Sequence, residues 1–314
     1  MTENPGRLML LDSASMYFRA FFGVPEIKAP DGTPVNAVRG FLDFIARLVG
    51  DYGPSDLVCC WDNDWRPQWR VDLLPSYKAH RVVAERTGEP DVEEVPDPLE
   101  VQVPIILEVL EAFGLCVVGA DGYEADDVIG SLASQRSAQG QPVDIVTGDR
   151  DLFQLVDDER DVRVLYIARG VGNHERVTND WVRTKYGIDA RQYADFATLR
   201  GDASDGLPGV AGVGEKTAAT LLGRFGDMDG ILAAAADPDA DMGPGPRGKI
   251  KAAAAYLEVA PEVVAVARDL DLGTPGTALP REPRDLRRVA ELATTWGLES
   301  PVQRLTDVLC SRDR

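Results

Sequence analysis

Three short apolar runs in this chain each lead into an aspartate. Residues 8–11 lead into Asp12, residues 57–61 into Asp62, and residues 143–147 are followed by Asp149, with Asp151 two positions on. If these runs are parallel strands, their carboxyl ends share one edge of a sheet and the carboxylates converge there. A single acid after a strand is as readily a helix cap. Several at one edge ask for more than capping. Tyr123-Glu124-Ala125-Asp126-Asp127 opens a helical stretch. Acids in a first turn suit the helix dipole, yet carboxylates this crowded repel one another unless a cation sits among them. Gly201-Asp202-Ala203-Ser204-Asp205-Gly206 adds Asp202 and Asp205 in a glycine-flanked turn, which in isolation is equally a solvated loop. His80 and His174 are isolated and no cysteine has metal-site spacing, so an all-oxygen site points to Mg²⁺ or Mn²⁺ and away from zinc. These acids exceed the needs of one such ion. A two-metal site follows, with ions about 3.5–4 Å apart clamping the attacking water and leaving oxygen of a phosphodiester.

A second element points the same way. Gly209, Gly212 and Gly214 precede Lys216 and Thr217 at the start of a helical run. The spacing is wrong for a P-loop and no strand precedes it. What remains is a helix–hairpin–helix turn, or a tight turn of purely structural use. In the first case the glycines let a backbone approach closely and the helix amides face a phosphate. Such a turn reads the nucleic-acid backbone and not its bases.

The net charge of −19 runs against that partner, because nucleic-acid binders normally carry a basic footprint. Local fields can differ from the total, however. Residues 65–88 are locally basic, holding Arg66, Arg70, Lys78, Arg81 and Arg86 against Asp72 and Glu85. Metal would neutralise part of the acid excess. The composition, 44% hydrophobic and 27% charged, is that of a soluble globular chain. Neither an apolar run of membrane length nor a signal peptide is read. The cysteines at 59, 60, 116 and 310 suit buried, reduced thiols, so a cytoplasmic protein is expected.

These groups need a scaffold. Strands are predicted over 7–11, 57–61, 116–118 and 143–147, with helices over 35–52, 99–113 and 125–139 between them. Alternation of this kind gives an α/β fold with a doubly wound parallel sheet. The period lapses between 65 and 98, which marks a functional or mobile insert. Past Val177 only helices are predicted, over 179–186, 191–200, 217–225 and 227–236, with a flexible loop over 237–248. The division expected is a catalytic α/β core over 1–176, with its insert at about 65–98, and a helical DNA-binding region over 177–314, with its turn at about 206–225.

The segments Leu10-Leu11-Asp12, Trp61-Asp62, Ser76-Tyr77-Lys78-Ala79-His80-Arg81, Tyr123 to Asp127, Thr147 to Leu152, Gly201 to Asp205 and Gly209 to Thr217 occur in one order. That order resembles the 5′-nuclease domain of bacterial DNA polymerase I and its relatives, the flap endonucleases, over nearly the whole chain. The resemblance implies a PIN-like core, a helical arch and a helix–three-turn–helix module holding a monovalent cation. Position by position, Asp12, Asp62, Glu124, Asp126, Asp127, Asp149, Asp151, Asp202 and Asp205 resemble the metal-binding carboxylates. Lys78 and Arg81 resemble the catalytic arch bases at the scissile phosphate, and Arg70 a further, DNA-binding arch base. Gly209, Gly212, Gly214, Lys216 and Thr217 resemble the DNA-binding turn, with potassium on the carbonyls of Val210 and Val213. Gly206 departs from the pattern, standing where relatives often carry Asn. The chain also stops where polymerase I continues, so a stand-alone enzyme is expected. The implied function is a monomeric, nucleoid-associated 5′-nuclease of replication and repair. It would cut DNA bearing 5′ flaps, nicks or RNA primers. Its rivals are a non-catalytic junction binder and an RNase of the PIN class.

Overall fold

Leu8, Met9, Leu10 and Leu11 are fully buried and form the centre of a sheet. The strands, in chain order, are β1 (Leu8–Asp12), β2 (Asp56–Trp61), β3 (Val82–Ala84), β4 (Val92–Glu93), β5 (Cys116–Gly119), β6 (Val143–Thr147), β7 (Val162–Tyr166) and β8 (Glu175–Val177) in a computed structural model that describes residues 6–84, 86 and 90–311. The main sheet runs β5-β2-β1-β6-β7-β8. It is parallel except for β8, which pairs antiparallel with β7 at the edge.

Both faces of this sheet are covered, which is why β1 and β6 are buried throughout and do not alternate. Leu8 and Leu10 face one core, shared with the helix Ala125–Ala138 and with helices of the second half. Met9 and Leu11 face the other, shared with the helices Asn36–Tyr52 and Val103–Phe113 and the last helix, Glu299–Cys310. The register pairs Leu11 with both Cys59 and Val146, and Asp12 with Cys60. Asp12, Asp62 and Asp149 therefore leave the sheet at the same edge.

Several elements differ from the sequence expectation. The helix predicted over 99–113 is interrupted, into Asp97–Glu100 and Val103–Phe113. Between them the buried Gln102 turns its Oε1 to the Ala37 and Val38 amides at 2.7 and 3.3 Å, satisfying the start of the neighbouring helix. The loop expected over 237–248 is in part a helix, Pro244–Ala252, with proline in its first turn, where its missing N–H costs nothing. The helix Ser13–Gly23 and strands β7 and β8 had no counterpart in the sequence reading.

The insert over 65–98 carries no long helix among the described residues. It holds the short helix Gln68–Leu73, a 3₁₀ turn, Ala79–Arg81, the antiparallel ribbon β3–β4 and the start of the helix Asp97–Glu100. Val82, Val83 and Val92 are β-branched and favour the extended form over a helix. Residues 85 and 87–89 of this insert lie outside those described. Among the described residues no helix is long and apolar enough to cross a membrane.

Candidate active site

Asp12 ends β1 and caps the next helix, accepting the Ser15 N–H at 3.0 Å through Oδ1. Its Oδ2 accepts the Thr147 hydroxyl at 2.6 Å, which ties the ends of β1 and β6 together. Burial raises the Asp12 carboxyl, against the Thr147 and Ser15 hydrogen bonds. Asp62, just past β2, accepts the Ala125 N–H at 2.7 Å and so fixes the start of the helix Ala125–Ala138. Burial, with Asp12 and Glu124 nearby, pushes Asp62 up to about 7. Asp126 is driven well above the carboxylate range by burial and by Asp12, Asp149 and Glu124. The three strand ends and this helix start thus deliver their acids to one place.

Glu124 is 4% exposed and surrounded by donors. The Lys78 ammonium reaches its Oε1 at 2.6 Å and the Tyr77 hydroxyl its Oε2 at 2.9 Å. Asp127 faces elsewhere. It is fully buried and grips Arg70 with both oxygens at 2.7 Å. A carboxylate committed in this way does not open into the cleft, so the expectation of Asp127 as a metal ligand is corrected. Arg70 needs the same correction. It is 2% exposed, and its guanidinium is spent on Asp127, Glu124 and backbone carbonyls, so it cannot meet DNA.

Asp149, Asp151, Asp202 and Asp205 extend the cluster. Asp151 Oδ1 is buried and has no hydrogen-bond partner among the described residues. Burial, then Asp149, Asp205 and Asp202, hold the Asp151 carboxyl well above its usual range. Asp202 behaves differently, since bonds from Ser204, with Arg200 and Arg150 close by, outweigh burial and lower it. Asp205 accepts Arg81 at 3.1 Å, and its carbonyl accepts the Lys78 N–H at 3.0 Å, which joins the insert to this turn. Gly206 lies at φ +70°, and a Cβ there would sit 2.0 Å from the Ser76 carbonyl oxygen. The position where relatives are expected to carry Asn thus admits only glycine in this arrangement.

A cleft of about 1050 Å³ is walled by Asp12, Asp62, Glu124, Asp126, Asp149 and Lys78, with Arg81 beside them. Asp151 and Asp205 line a narrow adjoining recess with Glu124 and Asp126. As the side chains lie, no three of the described carboxylates are close enough to grip one ion. Thr147, Ala125, Lys78 and Ser204 each hold an acid to one side. The donor set nonetheless suits a hard cation. It is all oxygen, one buried oxygen is orphaned, and the carboxyls raise one another. Thr147 and Tyr77, which orient Asp12 and Glu124, were not singled out in the sequence. Their signal was their place in the motif segments that carry Asp149 and Lys78.

The glycine turn stands next to this cluster in the chain. Gly209, at φ +67°, packs so closely on Arg200 that a Cβ would lie 2.6 Å from its carbonyl. Val210 and Val213 turn their side chains inward, 3% and 4% exposed. Gly212, Gly214 and Lys216 face solvent, and Thr217 is half-buried in the first turn of the helix Glu215–Phe225. The Lys249 ammonium lies 2.7 Å from the Gly212 carbonyl, so one cation already meets this turn.

A parallel sheet that gathers carboxylates at its strand ends, beside a helical region with a glycine turn, defines an α/β nuclease. Residues 7–187 match the 5′-3′ exonuclease N-terminal, resolvase-like domain, and residues 188–287 the 5′-3′ exonuclease C-terminal SAM fold. A 5′-3′ exonuclease of Streptomyces coelicolor is 60% identical over 302 residues, 96% of this chain and 99% of that protein. One from Mycobacterium tuberculosis is 54% identical over 311 residues, 96% and 97% of the two chains. The fold is shared with the bacteriophage T5 flap endonuclease, solved in complex with DNA and metal ions, at a TM-score of 0.63 and 19% identity over 98% of this chain and 100% of that one. The chain belongs to the 5′-3′ exonuclease family and is a 5′-nuclease acting on DNA.

Proposed function

We propose that this protein hydrolyses phosphodiesters at 5′ ends and 5′ flaps of branched, nicked or primer-bearing DNA, in replication and repair. The observation that carries the reading is the meeting of strand-end carboxylates with Lys78 and Arg81 at one cleft. Asp12, Asp62, Glu124, Asp126, Asp149, Asp151, Asp202 and Asp205 would hold Mg²⁺ or Mn²⁺. Bound there, such ions would supply Lewis-acid activation of water and charge neutralisation at the phosphodiester. Lys78 and Arg81 supply fixed positive charge to the phosphate, each now resting on a carboxylate that a phosphate would displace. Thr147 and the Ala125 amide tether Asp12 and Asp62 at the strand ends beside this cleft.

The exposed amides of the turn, with Lys216 and Thr217, would track the duplex backbone beside the cut. Potassium on the carbonyls of Val210 and Val213 would there join the Lys249 ammonium. The protein acts as a monomer in the cytoplasm, close to the nucleoid. Incubation with a labelled flap, a blunt duplex and a structured RNA tests this reading. Mg²⁺-dependent cleavage of the flap is expected. Cleavage of the RNA alone would favour the RNase, and tight flap binding without cleavage the junction binder. Asp126 is the acid to remove first. Asp126→Ala should abolish cleavage and leave flap affinity largely intact, whereas an equal loss of both would make Asp126 structural.

A further inference from the structure

We infer that Arg70 is a positioning residue for cleavage, holding Glu124 at the cleft and fastening that corner of the active site to the helical half of the molecule. This inference rests on the reading of Glu124 as a metal-facing carboxylate. Arg70 is the largest fully buried side chain among the described residues, and an arginine is seldom buried unless it is paired. Its Nη1 donates to Glu124 Oε2 at 3.2 Å and to Asp127 Oδ2 at 2.7 Å. Its Nη2 donates to Asp127 Oδ1 at 2.7 Å and to the Ala265 carbonyl at 3.4 Å, and its Nε to the Val263 carbonyl at 3.0 Å. The guanidinium carbon lies over the Trp69 ring, 4.4 Å from its centre.

These partners come from three separate parts of the chain. Arg70 sits on the short helix of the insert, Glu124 and Asp127 on the turn that opens the helix Ala125–Ala138, and Val263 and Ala265 at the end of the helix Ala254–Val264. Asp127 strengthens the junction, because it also accepts the Ala267 N–H at 2.8 Å and the Glu124 N–H at 3.2 Å. Glu124 then has one oxygen held by Lys78 and the other by Arg70 and Tyr77. Lys78 reaches into the cleft and can leave Glu124 for a phosphate. Arg70 lies behind Glu124 and cannot. The side chains that keep Glu124 aimed when Lys78 departs are therefore Arg70 and Tyr77, and of these only the planar fork of Arg70 can hold Asp127 with two bonds and still reach Glu124.

The conservative variant Arg70→Lys keeps the charge and loses the fork. Removal of a partner behind a metal ligand lowers metal affinity or activity by about 10–100-fold. Mn²⁺ binding to the DNA-free protein, followed by calorimetry, should weaken in that range. The single-turnover rate on a flap should fall in parallel and recover as Mn²⁺ is raised, with flap affinity near that of the parent. Arg70→Met leaves Asp127 a buried, unpaired charge and is expected to fold poorly. The double variant Arg70→Met/Asp127→Met removes both charges and tests the same point in a folded protein, where Mn²⁺ binding should stay weak. Parent-like Mn²⁺ binding in both Arg70→Lys and the double variant would overturn the inference. Flap affinity falling as far as the rate would do so too, and would return Arg70 to a phosphate contact. If the parent itself bound no Mn²⁺, the metal reading would fail first, and this inference with it.

Discussion

The Lys78 ammonium lies 2.6 Å from Glu124 Oε1, and the residue that carries it holds a left-handed backbone at φ 48°. Left-handed backbone is uncommon away from glycine and costs on the order of 1 kcal/mol or more. Here the surroundings enforce it. The Lys78 N–H donates to the Asp205 carbonyl at 3.0 Å, and its Nζ also reaches the Trp65 carbonyl at 3.3 Å. Lys78 thus links the insert, the helix start at Glu124 and the turn at Asp205, and its charge is placed by all three.

Lys78→Ala should consequently slow single-turnover flap cleavage by about 10²–10³-fold, the usual effect of losing one donor to developing charge. Flap affinity should change less. Cleavage at the parent rate would remove Lys78 from the mechanism.

Gly206 sets the position of the same segment from the other side. With a Cβ expected 2.0 Å from the Ser76 carbonyl oxygen and 3.4 Å from the Lys78 nitrogen, and φ at +70°, Gly206→Ala must push this segment away. A loss of about 1–3 kcal/mol in stability is expected from the backbone alone. Cleavage should fall as well, because Lys78 moves. A melting temperature and rate both equal to the parent's would show that the turn is free to adjust.

The crowded carboxyls make stability depend on pH. Asp62 is raised from 3.8 to about 7, so the folded protein binds protons that the unfolded chain has released. Stability without metal is then greatest near the unfolded carboxylate range and declines as pH rises through about 7. The loss from Asp62 is on the order of a few kcal/mol. Divalent metal should oppose it, and more strongly at the higher pH. Thermal melts in EDTA and in Mg²⁺ between acid and neutral pH test both statements. A melting temperature in EDTA that rises steadily over that interval would contradict them.

Removing acids should have opposite effects on binding and on cutting. Asp149→Ala/Asp151→Ala should abolish cleavage and yet tighten flap binding in EDTA, because two charges that repel the phosphate are gone. The salt dependence of flap binding should be shallow for a protein of net charge −19, since the slope counts about 0.9 per phosphate neutralised. Weaker binding by the double variant in EDTA would mean that these aspartates organise the fold.

Much of the site could be read in the chain. Asp12, Asp62 and Asp149 were legible because an apolar run before each marks a buried parallel strand, and a parallel sheet delivers strand ends to one edge whatever packs around it. The glycines at 209 and 212 were legible because their positive φ is a local demand that few other residues meet. The ribbon β3–β4 was not legible in the insert, because so short a pairing is decided by what it pairs with and not by its own period. Arg70 and Asp127 were misplaced for a related reason. A basic residue between other basic residues, and an acid beside acids, look alike whether they face solvent, metal or each other.

The sequence by itself determined the strand-end carboxylates, the turn and the family, since these rest on residue type, short spacing and order along the chain. The tertiary structure alone decided direction. Asp126 and Asp127 are neighbours on one helix turn, and the rotation of about 100° per residue sends one towards Asp12 and Asp149 and the other back to Arg70. Which of the two faces the cleft depends on how that helix lies against β1 and β2 and on a guanidinium far earlier in the chain, contacts that no local pattern encodes.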